Sequence, residues 1–145
     1  MHTKPTNFII LYDGICGLCN RFVRLILRVD KRGVFRFASL QSPFAAGILQ
    51  RHGINPLQLD TVYLVRNYES ANEQLLARDQ AITAILRQLG GVWRICAGLS
   101  RLLPQRFRQR LYKLIARSRY RFFGKYESCP LPDEKTRSKF LDLPA

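Results

Sequence analysis

Two cysteines separated by two residues, Cys16-Gly17-Leu18-Cys19, are the part of this sequence best equipped for chemistry. At the start of a helix that spacing brings the two sulfurs within disulfide reach. Cys16 would then sit at the helix N-terminus, where unpaired backbone N–H groups and the helix dipole favour negative charge. A thiolate is stabilised there, its pKa falls, and it becomes a usable nucleophile at neutral pH. Cys19, one turn further in, is expected to be the more buried of the two. In the mechanism this suggests, Cys16 attacks a disulfide and forms a mixed disulfide. Cys19 then attacks Cys16, releases the reduced product and leaves Cys16–Cys19 oxidised. The reverse direction uses the same residues, and no cofactor is needed. Two other readings stand beside this one. The pair could be half of a zinc site, which normally wants a second pair or two closely spaced histidines; here Cys96, Cys129, His2 and His52 are all isolated. It could also be two incidental buried thiols.

The elements that must position the pair are legible from periodicity. Phe8–Tyr12 is aromatic and β-branched and ends at the turn signal Asp13-Gly14, which predicts a short buried strand. Leu18, Phe22, Leu25, Ile26 and Val29 recur at helical spacing, so a helix is expected from about Cys16 to Asp30, stopped near Gly33. Val34–Leu40 alternates as a strand. Ser42-Pro43 is an N-cap followed by proline at the first helical position, opening a helix to about Arg51 with Gly53 beyond it. Residues 61–66 and the weaker 73–77 predict a hairpin. Asp79 is placed to cap a helix from Gln80 to Leu89, closed by Gly90-Gly91. Val92–Leu103 and the stretch from Pro104 to about Phe122 read as further helices. Residues 127–145, with Pro130, Pro132 and Pro144, read as a docked or flexible tail. The order is β-α-β-α-β-β-α with additional C-terminal helices. A strand-turn-CxxC-helix unit inside such a pattern is the context of a thioredoxin-like α/β fold. A single domain over residues 1–145 is expected, with a core at about 8–91 and an appendage and tail at about 92–145.

Composition agrees with a globular chain of 145 residues, 47% hydrophobic and 23% charged, and argues against extensive disorder. Four cysteines are too few for a disulfide-dense scaffold of this length. The apolar run Phe8–Tyr12 is too short for a signal-peptide core and Asp13 ends it. The most apolar stretch, Ala81 to Leu103, is interrupted by Arg87, Arg94 and Arg101, so no transmembrane segment is expected. The expected location is cytoplasmic, where thiols stay reduced and paired cysteines are more often catalytic or metal-binding than structural.

The run Asp13-Gly14-Ile15-Cys16-Gly17-Leu18-Cys19-Asn20 resembles the signature of the DCC family, named for its Asp-x-x-Cys-x-x-Cys motif. Further landmarks are Arg78-Asp79-Gln80-Ala81-Ile82, Leu89-Gly90-Gly91, and Arg119-Tyr120-Arg121-Phe122-Phe123-Gly124-Lys125 followed by Cys129; the likeness extends roughly from Phe8 to Pro130. It implies a thioredoxin-like fold and thiol-disulfide oxidoreductase activity, with Cys16 and Cys19 as the redox pair and Asp13 as the third motif residue. Asp13 would accept or relay a proton during exchange, or serve as a turn residue bonded to nearby amides. A carboxylate near Cys16 opposes thiolate formation, so Asp13 is not expected to be purely activating. Thioredoxin-like proteins usually carry a cis-proline just before the strand that faces the redox pair. Here that strand begins Asp60-Thr61-Val62 and the nearest proline is Pro56, too far upstream. That departure weakens the case for substrate pairing at this edge, where the candidate contacts are the Asp60 and Thr61 backbone. The partners implied are a disulfide-containing protein or small molecule and a dithiol reductant.

Charge supplies a reading of a different class. Formal net charge is +14, and between Asp79 and Glu127 lie eleven Lys or Arg residues and no Asp or Glu. Arg106, Arg110, Lys113, Arg117 and Arg121 recur at helical spacing, with Phe107, Leu111, Leu114 and Ile115 supplying an apolar, core-facing side. The basic stripe is either a solvated face or the contact for an anionic partner: an acidic protein, nucleic acid or a membrane surface. In this alternative the chain is a basic binding module and its CxxC is non-catalytic. Among the remaining candidates, Cys96 is expected as a buried small hydrophobe, Trp93 as packing, and His52 as a cation near a helix C-terminus. Cys129 is a third thiol that could form an alternative disulfide.

Overall fold

The computed structural model describes residues 8–14, 16–30, 33–55, 62–68, 71–123 and 139–141. Strand β1 (Phe8–Tyr12) leads into helix α1 (Gly17–Val29), strand β2 (Phe35–Ser39) and helix α2 (Pro43–Arg51). The hairpin β3 (Tyr63–Arg66) and β4 (Gln74–Ala77) follows, then helix α3 (Arg78–Leu89). Two more helices, α4 (Gly91–Ser100) and α5 (Gln105–Phe123), complete the regular elements among the described residues. The sheet runs β2-β1-β3-β4. β1 and β2 are parallel, with Ile10 opposite Phe37, while β1–β3 and β3–β4 are antiparallel. This is a thioredoxin-like α/β arrangement, in the expected element order.

Both faces of the sheet are covered, which explains why β1 reads as an unbroken apolar run rather than an alternating one. One face gathers Ile10, Tyr12, Phe35, Phe37 and Leu64 under α1 and α3. The other gathers Ile9, Leu11, Ala38, Tyr63 and Val65 under α2. Full burial of an aromatic ring such as Phe35 or Phe37 contributes roughly 1.5–3 kcal/mol. The tail joins this packing. Phe140 forms a parallel bridge with Phe37, the Leu141 N–H donates to the Phe37 carbonyl at 2.8 Å, and the Phe140 ring stacks on Phe37 at 5.3 Å. The outer edge of β2 is thereby covered, as a sheet edge requires.

Local signals act where the sequence puts them. The Ser42 side chain accepts from the Ala45 N–H and caps α2, with Pro43 in the first turn. Replacing Ser42 with alanine is expected to cost about 1 kcal/mol; a thermal melt indistinguishable from that of the unmodified chain would contradict this role. His52 is the C-cap of α2, and its Nε2 lies 2.8 Å from Glu73, which Arg51 also pairs at 3.0 Å. Those contacts hold α2 against the β3–β4 hairpin.

Three expectations are corrected. Asp79 does not cap α3. The N-cap is Ala77, and Arg78 takes the left-handed backbone (φ 58°) with its N–H on the Val62 carbonyl, so helix entry falls two residues earlier. Cys96 is exposed rather than buried. The apolar side of α5 does not face the core: Phe107, Leu111, Leu114 and Ile115 are all exposed, and Tyr112 is the α5 residue packed against the larger cluster.

Candidate active site

The β1–α1 junction is built as a braced turn. The Cys16 N–H donates to the Asp13 carbonyl at 3.2 Å, and Cys16 becomes the N-cap of α1, with extended backbone. Gly17 is the first helical residue, so Cys16 lies at the helix start and Cys19 one turn inside. The Asn20 side chain, itself buried, donates to the Gly14 carbonyl at 2.8 Å and to the Cys16 carbonyl at 2.9 Å. It closes the motif from the helix side. No local rule requires Asn at that place, although an Asn four residues after a helix start can bond back in this way.

A second brace comes from the loop after β2. Gln41 Nε2 donates to Asp13 Oδ1 at 2.6 Å, and Gln41 Oε1 accepts from the Gly14 N–H at 3.0 Å and from the Ser39 hydroxyl. Asp13 is only 1% exposed, so its carboxyl group points into the protein and is held by a side chain 28 positions away. Of its two expected roles, this geometry favours the turn over a freely accessible proton acceptor. Gln41 had no signal in the sequence, because only the parallel pairing of β1 with β2 brings it alongside the motif.

The two thiols differ in access, in the opposite order to that expected. Both are thiols rather than a disulfide, but Cys16 is fully buried and Cys19 is partly exposed. Cys19 lines a cleft of about 390 Å³ bounded by α1, α3, α5 and the ends of β1 and β3. That volume lies in the range of small-molecule sites, about 300–1,000 Å³. The cleft walls are mainly apolar, with Phe22, Ile82, Leu86 and Leu111 among them, and Asp79 and Arg108 supply charge. Arg108 NH1 is 4.0 Å from Asp79 Oδ2, a long pair, and the Arg108 Nε is buried with no hydrogen-bond partner.

The expected substrate edge at Asp60 and Thr61 lies outside the described residues, as does Cys129. The adjoining Val62 is described, and its backbone is occupied from within. Its N–H donates to the Tyr112 hydroxyl at 3.1 Å and its carbonyl accepts the Arg78 N–H at 3.1 Å. Tyr112 comes from α5, so the appendage is tied directly to the strand end beside the cleft. Among the described residues no group of three or more His, Cys, Asp or Glu side chains is placed to hold a metal ion.

A β1-turn-CxxC-α1 unit on a β2-β1-β3-β4 sheet defines a thioredoxin-like protein with a dithiol at its helix start. More particularly, the chain belongs to the DCC1-like thiol-disulfide oxidoreductase family, whose model matches residues 10–125. It is 32% identical over 135 residues to the uncharacterized protein YuxK of Bacillus subtilis (strain 168), covering 93% of this chain and 94% of that protein. It is also 32% identical over 123 residues to the DCC family protein At1g52590, chloroplastic, of Arabidopsis thaliana, covering 85% of this chain and 69% of that protein. No solved structure matches the chain.

Proposed function

We propose that this protein exchanges electrons between the Cys16/Cys19 pair and a disulfide admitted through the cleft, with Cys19 as the sulfur that meets the substrate. The carrying observation is the difference in access: Cys19 lines the cleft, and Cys16 is buried at the helix start. In the reducing direction the Cys19 thiolate attacks one substrate sulfur, forms a mixed disulfide and expels the other half as a thiolate. Cys16 then attacks the Cys19 sulfur, the second substrate thiolate leaves, and the protein holds Cys16–Cys19 as a disulfide. Two electrons have passed to the substrate. An external dithiol restores the pair: one of its thiolates attacks Cys19 and releases Cys16, and its second thiol then displaces Cys19, leaving the donor as a disulfide. The helix N-terminus supports that release, because a stabilised thiolate is the better leaving group.

This assigns the two roles in the reverse of the order suggested by helix position alone. Asp13, held by Gln41, keeps the turn in register and does not act as an open proton relay. The apolar walls suit a substrate with an apolar stretch. Trapping tests the assignment. Cys16→Ser, which cannot resolve, should accumulate a mixed disulfide on Cys19 when treated with a small disulfide such as bis(2-hydroxyethyl) disulfide. If adducts form instead on Cys16 in the Cys19→Ser protein, and none on Cys19, the roles are the other way round.

A further inference from the structure

The redox site leaves α4 and the outward residues of α5 unexplained. Val92, Ile95, Leu99 and Leu102 recur three, four and three residues apart, so they form one line along α4 and its C-terminal turn. Every one of them faces solvent, at 70%, 63%, 59% and 80% exposure. The buried residue of α4 is Ala97, on the opposite side, against the rest of the fold. The helix therefore turns its apolar face outward. On α5, Phe107 and Leu114, about two turns apart, are again exposed, while Leu111 belongs to the cleft wall. Nearly all the exposed large hydrophobics of the described residues fall in these two helices and their connection; Leu25 is the exception. An apolar concentration of this kind on a folded surface marks an interaction site.

Charge narrows the occupant. The segment between Asp79 and Glu127 has no acidic residue and eleven basic ones. Arg87, Arg94 and Arg101 line a groove of about 670 Å³ between α3 and α4, with no carboxylate in its lining. A second copy of the chain would bring the same excess of arginine against itself, so self-association is opposed electrostatically. Nucleic acid would pair with the arginines and leave the aliphatic line without a counterpart, since base contacts use aromatic and polar groups. An anionic lipid surface satisfies both features. The acyl boundary takes Val92, Ile95, Leu99 and Leu102, and phosphate headgroups meet the arginines. No helix among the described residues is long and apolar enough to cross a membrane, so the contact would be peripheral.

We infer that α4 and α5 form a docking surface for anionic membranes. The full-length reduced protein should co-sediment with vesicles of phosphatidylcholine and phosphatidylglycerol (7:3) and stay in solution with phosphatidylcholine alone. The double variant Leu99→Ser/Leu102→Ser should weaken partitioning by roughly tenfold or more. Arg94→Glu/Arg101→Glu should weaken it by at least roughly twentyfold, at about fivefold per basic residue. All four positions are exposed, so circular dichroism should show both variants folded with unchanged melting. Three results would each overturn the inference. One is no binding to the anionic vesicles. Another is vesicle binding that the two serine substitutions leave intact. The third is a lipid-free dimer that those substitutions dissociate, which would make the face an interface between copies.

Discussion

Cys16→Ser is expected to lower catalysed disulfide reduction by roughly a thousandfold or more, to the rate of the reductant alone, because the hydroxyl cannot resolve the mixed disulfide. The assay is reduction of a protein disulfide such as insulin with dithiothreitol as donor. Cys16 is fully buried at the N-cap of α1, and a serine there is smaller and can accept the helix N–H groups. The variant should therefore stay folded, and lost turnover with a normal circular dichroism spectrum would be chemical in origin. Cys19→Ser should be as inactive, since it removes the sulfur at the cleft. Turnover equal to the parent in either variant would remove the pair from the chemistry. The basic binding-module reading would then be the one left standing.

Gln41→Ala carries the second large effect, and it acts on stability. Its amide nitrogen donates to the buried Asp13 carboxyl group, and its oxygen accepts from Gly14 and Ser39. Alanine removes all three bonds at once without touching the cysteines. Depriving buried polar groups of such partners costs about 1–3 kcal/mol. At the roughly 2–4 °C per kcal/mol typical of domains of about 150 residues, melting should fall by about 2–12 °C. Exchange should also slow, because the Asp13–Cys16 turn is no longer held to the β2 end. The conservative Gln41→Glu keeps the acceptor and loses the donor, and it brings a second carboxyl group to Asp13. It should destabilise most near neutral pH and recover as the pH is lowered and the pair takes up a proton. A melting temperature that ignores the alanine substitution would mean Gln41 is not a brace.

How far the fold can be read from the chain depends on how local its causes are. Ser42-Pro43 announces α2 because an N-cap and a first-turn proline act within three residues. The helix at Cys16 is legible for the same reason, since Leu18, Phe22, Ile26 and Val29 mark its apolar side. Elsewhere the causes are distant. The β-branched run 61–66 places Val62 in β3, but its N–H is taken by Tyr112, 50 positions on, and the strand begins at Tyr63. Gln41 is invisible for the same reason. Asp79 looked like a cap because its residue type fits, yet the left-handed Arg78 shifts the helix start upstream and leaves Asp79 facing Arg108.

Amphipathic periodicity has a further gap: it shows that a helix has two sides, not which side the protein covers. In α1 the apolar side turns inward, with Ile26 buried and Leu18, Phe22 and Val29 half-buried though Leu25 is exposed, and in α4 the same kind of pattern points outward. The order of the thiols has the same origin. Being one turn into a helix says nothing about where a cleft opens, and here it opens at Cys19.

A reversible Cys16–Cys19 couple is tested most directly by equilibrating the protein in buffers of graded reduced and oxidised dithiothreitol, quenching with acid and alkylating the remaining thiols. Mass spectrometry should show two thiols disappearing together over one potential range, with Cys16 and Cys19 joined in a single cross-linked peptide. Independent loss of the two thiols, or both remaining alkylatable in fully oxidised buffer, would contradict a working redox pair at the head of α1.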